Sequence, residues 1–233
     1  MKEKIVSASI LALSIVILGI CLKSGIDNFV NKDNTVTVKG LAEKEVEADK
    51  VTWPILSKEV GDDLPQLYDK MGKTQTIIKK FLLDNGISEN EISINAPSVI
   101  DMSANLYNNN PAPHRYNITS SITVTSQKVK LIRSIIAKQG SLLKNDVAIV
   151  DGGYENPIKY EFVAFNAMKP KMMQEAIANA ETTAQQFAEN SKSKLSKIVN
   201  ASQGQFTIED RDTNTPYLKK VRVVTTVTYA LKH

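Results

Sequence analysis

The chain holds a single cysteine, Cys21, and it falls inside an uncharged apolar run. Everything after that run has neither a disulfide nor a thiol-based site, a composition compatible with an oxidising compartment. Histidine is almost as scarce: His114 and His233 are the two present, and neither has a second ligand at metal spacing. Transition-metal sites usually gather three or four donors with a histidine or cysteine among them, so the composition argues against one. The sequence has no Gly-x-Ser-x-Gly elbow, no phosphate-cradling glycine loop and no His-Glu-x-x-His. No cofactor is expected, and the expected protein is not an enzyme.

A clustered cationic surface is also missing. Setting aside Lys2, Glu3, Lys4 and Lys23 leaves 26 basic and 24 acidic residues, a near balance that makes nucleic acid an unsuitable partner. The sequence does have one long hydrophobic run. Ile5 to Leu22 is 18 residues without a charge, diluted by three serines and a glycine. At ~1.5 Å rise per residue it reaches about 27 Å, close to the hydrocarbon thickness of a bilayer. It lacks the polar face that a core helix would carry. The expectation is a transmembrane anchor at 1–22, with a polar tether at 23–33 and one periplasmic domain at 34–233. Lys2 and Lys4 leave the amino terminus cytoplasmic, so the protein is expected in a bacterial inner membrane, single-pass through residues 5–22. Secretion to the periplasm after signal cleavage is the alternative. Ile20, before Cys21, departs from the small residue that lipoprotein processing wants.

Beyond the tether, periodicity alternates between two and 3.6. "TVTVKG" predicts a strand ending at Gly40. From Lys44 to Val60 the apolar parity flips across Asp49-Lys50, which predicts a bulge or tight turn. Trp53 is expected to pack inward with Val51 and Ile55, its N–H finding a partner. Pro54, unable to donate a ladder bond, is expected at a sheet edge or bulge. "DLPQ", residues 63–66, predicts a helix start and Asn85-Gly86 its stop. "EISINAPSVI" predicts a strand, and residues 102–114, rich in asparagine and proline, a loop. "RYNITSSITVTS" predicts the clearest strand and residues 128–139 a second helix that Gly140 ends. "DVAIV" and "KYEFVAF" predict further strands. A third helix is expected from about Pro170 to about Ser191, with Ala176, Ala180, Ala184 and Ala188 as a stripe that lets a neighbour's backbone approach. "KIVNAS", "QFTIED" and "KKVRVVTTVTYAL" complete the strands. The fold class is therefore α+β: antiparallel or mixed sheets with about three amphipathic helices, preceded by one transmembrane helix.

Several of these strings together resemble the SIMPL-domain family, bacterial envelope proteins that include a Brucella periplasmic antigen. They are "VTVKG" before the acidic "EVEADKV", "FLLDNGISENEISI", "RYNITSSITVTS" leading into a helix, the alanine-rich "MMQEAIANAETTAQQFAENSKSKLSKI", and the terminal "VRVVTTVTYAL". The resemblance covers about residues 34–231. Ala48 stands where the family often has a proline, and Asn190-Ser191 where it usually has a glycine. The resemblance implies a periplasmic α+β domain that homo-oligomerises, with roles in envelope integrity or oxidative-stress tolerance, and it brings no active site.

The remaining candidates are surfaces. Ala176, Ala180, Ala184 and Ala188 form a candidate oligomer interface. Tyr107, Asn109, Pro111 and His114 form a candidate partner loop, with the turn at 210–218 as a second contact. Glu43, Glu45, Glu47 and Asp49 alternate along an extended segment and could gather a cation, but an acidic strand face is more often solvated. Met168, Met172 and Met173 read as core or interface filler and as a conceivable oxidant sink. The leading reading is a non-enzymatic, membrane-anchored protein that binds itself. Its alternative is a periplasmic ligand- or protein-binding module acting through its loops, with other envelope proteins as partners.

Overall fold

The computed structural model describes residues 2–30, 34–104 and 113–232, with the side chains of 10–26, 34–104 and 113–232. Helix α1 covers Lys2–Val30. It continues past Leu22, so "KSGIDNFV" is helical where its composition suggests a tether. Ile10, Leu11, Leu13, Ile15, Val16, Ile17, Leu18, Ile20, Leu22 and Ile26 are all more than half exposed. Among the described residues, which for the side chains of α1 are 10–26, no helix is long and apolar enough to cross a membrane.

The rest of the chain is α+β and divides into two units. The first comprises residues up to Lys44, Ala167–Thr207 and from Val221 on; the second comprises Glu45–Asn166 and Ile208–Lys220.

In the first unit, strands β1 (Thr35–Glu47), β8 (Lys194–Gln203) and β10 (Leu218–Lys232) lie in the order β1-β10-β8. Helix α4, Phe165–Asn190, packs on this sheet. Val38, Val227 and Tyr229 from the strands meet Ala180 and Ala184 from the helix. The approach is close enough that a Cβ on Gly40 would sit 1.8 Å from the Ala176 carbonyl oxygen and 2.6 Å from the Ala180 amide nitrogen. Glycine is required there because helix backbone occupies the space a side chain would need. Helix α4 begins earlier than Pro170, which lies inside it. It ends through Ser193, whose amide donates 2.8 Å to the Ala188 carbonyl, and the left-handed residue at this stop is Lys192 (φ 56°), not Asn190.

The second unit is built on the central antiparallel pair β2 (Lys50–Gly61) and β5 (Tyr116–Ser126), registered from Val51↔Ser126 to Gly61↔Tyr116. Short strands flank it: β3 (Ile92–Ile94), β4 (Ser98–Asp101), β6 (Ile149–Val150) and β7 (Lys159–Glu161). A further short strand, β9 (Thr207–Asp210), pairs with β10. Helices α2 (Leu64–Asp84) and α3 (Val129–Lys138) cover one face. Ile78 and Leu82 of α2 and Ile132 and Ile135 of α3 meet Val51, Trp53, Ile55, Ile122 and Val124 in one buried cluster. Helix α2 starts at Asp63, whose carboxylate accepts the Gln66 amide at 3.1 Å. It stops at Gly86 (φ 90°), where the Ile87 amide returns to the Leu82 carbonyl at 3.1 Å.

The parity flip at Asp49-Lys50 is a change of sheet: β1 ends at Glu47 in one sheet and β2 begins at Lys50 in the other. Trp53 is buried as expected. Pro54 is not on an edge strand, since β2 has β5 on one side and β6 and β7 on the other. It is tolerated because β7 pairs Lys50–Thr52 and β6 pairs Leu56-Ser57, leaving Trp53–Ile55 without a strand opposite on that flank. A residue without an N–H loses no ladder bond there. Gly140 does not end α3; the chain runs on as a 3₁₀ turn over Gln139–Asn145 and turns at left-handed Asp146 (φ 58°).

Candidate functional site

The acidic row that begins in β1 does not converge. The Glu45 carboxylate reaches Arg211 at 3.6 Å, and the Glu47 carboxylate reaches Lys130 at 3.1 Å. Asp49 turns its two oxygens to the amides of Val163 and Ala164, both at 2.7 Å, just ahead of α4. Both amides precede Phe165, the first residue of α4, so Asp49 fastens the segment that leads into that helix from a distant part of the chain. Among the described residues, no three His, Cys, Asp or Glu side chains are placed to hold a metal ion.

The turn at 210–218 is knit to itself. Asp212 accepts the amides of Asn214 (2.9 Å) and Thr215 (2.7 Å), the Thr215 hydroxyl, and Nε of Arg211 (3.0 Å). The Thr215 hydroxyl, then Arg211, hold the Asp212 carboxyl down at about 2. Lys219, buried, pairs with Asp210. Tyr217 is covered by the Arg133 guanidinium, 3.3 Å from its ring centroid, and meets Tyr160 edge-on at 6.2 Å. These contacts tie the turn to itself and, through Arg211 and Tyr217, to Glu45, Arg133 and Tyr160.

Segment 102–114 is fastened at its base. Arg115 grips Asp101 through Nε (3.2 Å) and Nη2 (3.0 Å), and the Met102 amide donates 2.7 Å to the Arg115 carbonyl. Ser103 adds its amide (3.0 Å) and hydroxyl (2.6 Å) to Asp101. Arg115, then Ser103, bring the Asp101 carboxyl down to about 2. His114, half exposed, places Nδ1 3.2 Å from Asp62, whose other oxygen accepts the Arg115 amide at 2.8 Å. Tyr107, Asn109 and Pro111 lie outside the described residues.

A third cluster was not foreseen. Glu91 accepts the Ser126 hydroxyl at 2.6 Å, the Ser88 amide at 2.9 Å and Lys128 Nζ at 3.1 Å. Its carboxyl is brought down to about 2, chiefly by Ser126. The Ser-x-x-Glu spacing of Ser88 and Glu91 was a readable signal for the amide contact, whereas Ser126 arrives only through strand pairing.

Ala176, Ala180, Ala184 and Ala188 are fully buried within the first unit. Ala180 and Ala184 pack on the chain's own sheet, against Val38, Val227 and Tyr229. Met172 is buried beside them in sequence, and Met168 and Met173 are half-buried.

Two sheets with their helices make the described residues an α+β fold. The SIMPL family model, described as "Protein of unknown function (DUF541)", matches residues 36–229, and the chain belongs to that family. No curated protein matches the chain.

Proposed function

We propose that this chain is a non-enzymatic, single-pass protein of the bacterial envelope. Helix α1 holds it in the inner membrane, and its SIMPL domain stands in the periplasm and associates with further copies, supporting envelope integrity or oxidative-stress tolerance. The observation that carries this reading is the bare surface of α1. Ten large aliphatic side chains point to every side of the helix and each is more than half exposed. A soluble helix buries one stripe, whereas a helix apolar all round is stable only in a protein core or in lipid. Carbonate extraction of membranes from cells making the full chain tests it. The chain is expected in the pellet, with the domain cut by protease only after the outer membrane is opened. Release into the supernatant would remove the anchor. Mass photometry of the chain in lipid nanodiscs tests self-association, and a single monomeric mass would end that part.

A second reading, a partner-binding module, draws on the fastened base of segment 102–114. The Arg115–Asp101 pair joins the two described ends between which residues 105–112 run. Deleting residues 105–112 separates the two: loss of a partner with assembly unchanged favours binding through the loop.

A further inference from the structure

We infer that Arg133, Tyr160 and Tyr217 form an anion site in the second unit, which takes an oxyanion, the carboxylate or phosphate group of a small ligand. The inference goes beyond the anchor and the self-association proposed above and needs neither. It also places binding at the turn 210–218 and not at segment 102–114.

Three separate parts of the chain build the site. Arg133 is on α3, Tyr160 is on β7, and Tyr217 stands in the turn just ahead of β10. Tyr217 is held by its backbone and its ring: its carbonyl accepts the Ala48 amide at 2.8 Å, and its ring meets Tyr160 edge-on with centroids 6.2 Å apart. Both rings pack on the buried cluster of the second unit. The central carbon of the Arg133 guanidinium lies 3.3 Å from the centroid of the Tyr217 ring. At that separation the group can only lie flat, because a steep tilt would drive a nitrogen into the ring atoms. Its N–H bonds all lie in the guanidinium plane, so they point sideways and none is spent on the tyrosine.

Those donors meet no counter-charge. Arg115 is paired with Asp101, and Arg211 with Asp212 and Glu45. Arg133 makes no ion pair and donates no hydrogen bond among the described residues, and the Tyr160 and Tyr217 hydroxyls have no partner there either. The carboxylates close by in the chain are already engaged: Glu47 by Lys130 at 3.1 Å, Glu161 by Lys50 at 3.0 Å, and Asp49 by the Val163 and Ala164 amides. Burial raises the Tyr160 hydroxyl above its ordinary value against the opposing pull of Arg133, so at neutral pH it stays an O–H donor. The site thus gathers one fixed positive charge and two hydroxyls. A guanidinium offers parallel N–H pairs that match two oxygens of a carboxylate or phosphate, in bonds about twice as strong as neutral ones. An arginine already pinned by stacking loses little further freedom when an anion arrives, which favours binding.

The test uses the full chain in micelles, isotopically labelled at arginine nitrogen. Arg115, Arg133, Arg211 and Arg222 each give one Nε–H signal in nuclear magnetic resonance. Sodium acetate and sodium phosphate are titrated at constant ionic strength, with sodium chloride as the reference. The Arg133 signal is expected to move along a saturable curve with acetate, phosphate or both, whereas the exposed Arg222 moves no further than it does in chloride. Saturation by acetate alone assigns a carboxylate ligand, and saturation by phosphate alone assigns a phosphate ligand. Arg133→Lys keeps the charge but not the flat fork. It is expected to weaken binding roughly tenfold or more, the worth of one charge-assisted hydrogen bond, as read from the backbone amides of Ala48 and Tyr217. Tyr160→Phe is expected to leave the Arg133 signal in place and to cause a smaller loss, which a folding defect would not give. An Arg133 signal that moves no further than that of Arg222 in both salts would overturn the site, and so would parent affinity in both variants.

Discussion

Replacing Gly40 with alanine tests the closest contact in the fold. The added Cβ would lie 1.8 Å from the Ala176 carbonyl oxygen and 2.6 Å from the Ala180 nitrogen, where ordinary contact begins at 3.4 Å. Relief therefore requires β1 and α4 to separate by up to 1.6 Å (3.4 less 1.8), and both obstacles are backbone, with no rotamer to turn aside. Separation would uncover the alanine stripe against which Val38, Val227 and Tyr229 pack. Overpacking of a well-filled site costs ~1–3 kcal/mol, and an immobile obstacle places this case near about 3 kcal/mol. Ala180→Gly would not rescue it, because it deletes a methyl at 2.8 Å and leaves both backbone clashes. Gly72→Ala is the control: it lies within α2 with nothing inside 4 Å of the added Cβ, and it should stabilise by ~0.4–1 kcal/mol. The assay is urea unfolding of the full chain in micelles followed by far-UV circular dichroism, with Trp53 fluorescence reporting the second unit. A Gly40→Ala protein within about 0.5 kcal/mol of the parent, the scale of an ordinary surface change, would refute the reasoning.

Other outcomes follow from single contacts. Asp49→Ala strands two amides that are now bonded at 2.7 Å and should cost ~1–2 kcal/mol in the same unfolding assay, with Asp49→Asn recovering part of it. The carboxyls of Glu91, Asp101 and Asp212 are each held at about 2, below their ordinary values of 4.5 and 3.8. Depressed acids bind protons more readily when unfolded. Their contribution is therefore complete above the ordinary value and is lost as pH falls from about 4.5 toward 2. The melting temperature should drop through that window, and Glu91→Gln should flatten the drop; a melting temperature level across it would contradict the assigned bonds. Arg133→Met should destabilise by ~0.5–1 kcal/mol by uncovering the Tyr217 ring, seen as a lower urea midpoint.

Local signals were readable where one element carries its own reason. Asp63 and Gly86 bound α2 because a cap acid and a left-handed glycine act on neighbours in sequence. The alternation of Tyr116–Ser126 is a strand because its even positions share one buried face. Pro54 was misplaced for a physical reason: an internal strand can carry proline only where its partners leave a gap, and the lengths of β6 and β7 are not written near residue 54. Asp49 looked like one of four acids in a row, yet its two hydrogen bonds go to residues more than a hundred positions away.

The alanine period of α4 marks the difference most clearly. The sequence by itself determined that a backbone would come close to Ala176, Ala180, Ala184 and Ala188, because small side chains every four residues leave a groove on one helix face. It likewise determined the α+β class, the apolar run at the amino terminus and the lack of any cysteine after it. Only the tertiary structure decided whose backbone fills the groove. It is the chain's own β1 at Gly40, in the sheet whose order is β1-β10-β8. Periodicity records which face of an element is apolar, but what lies against that face depends on pairings between residues far apart in the chain.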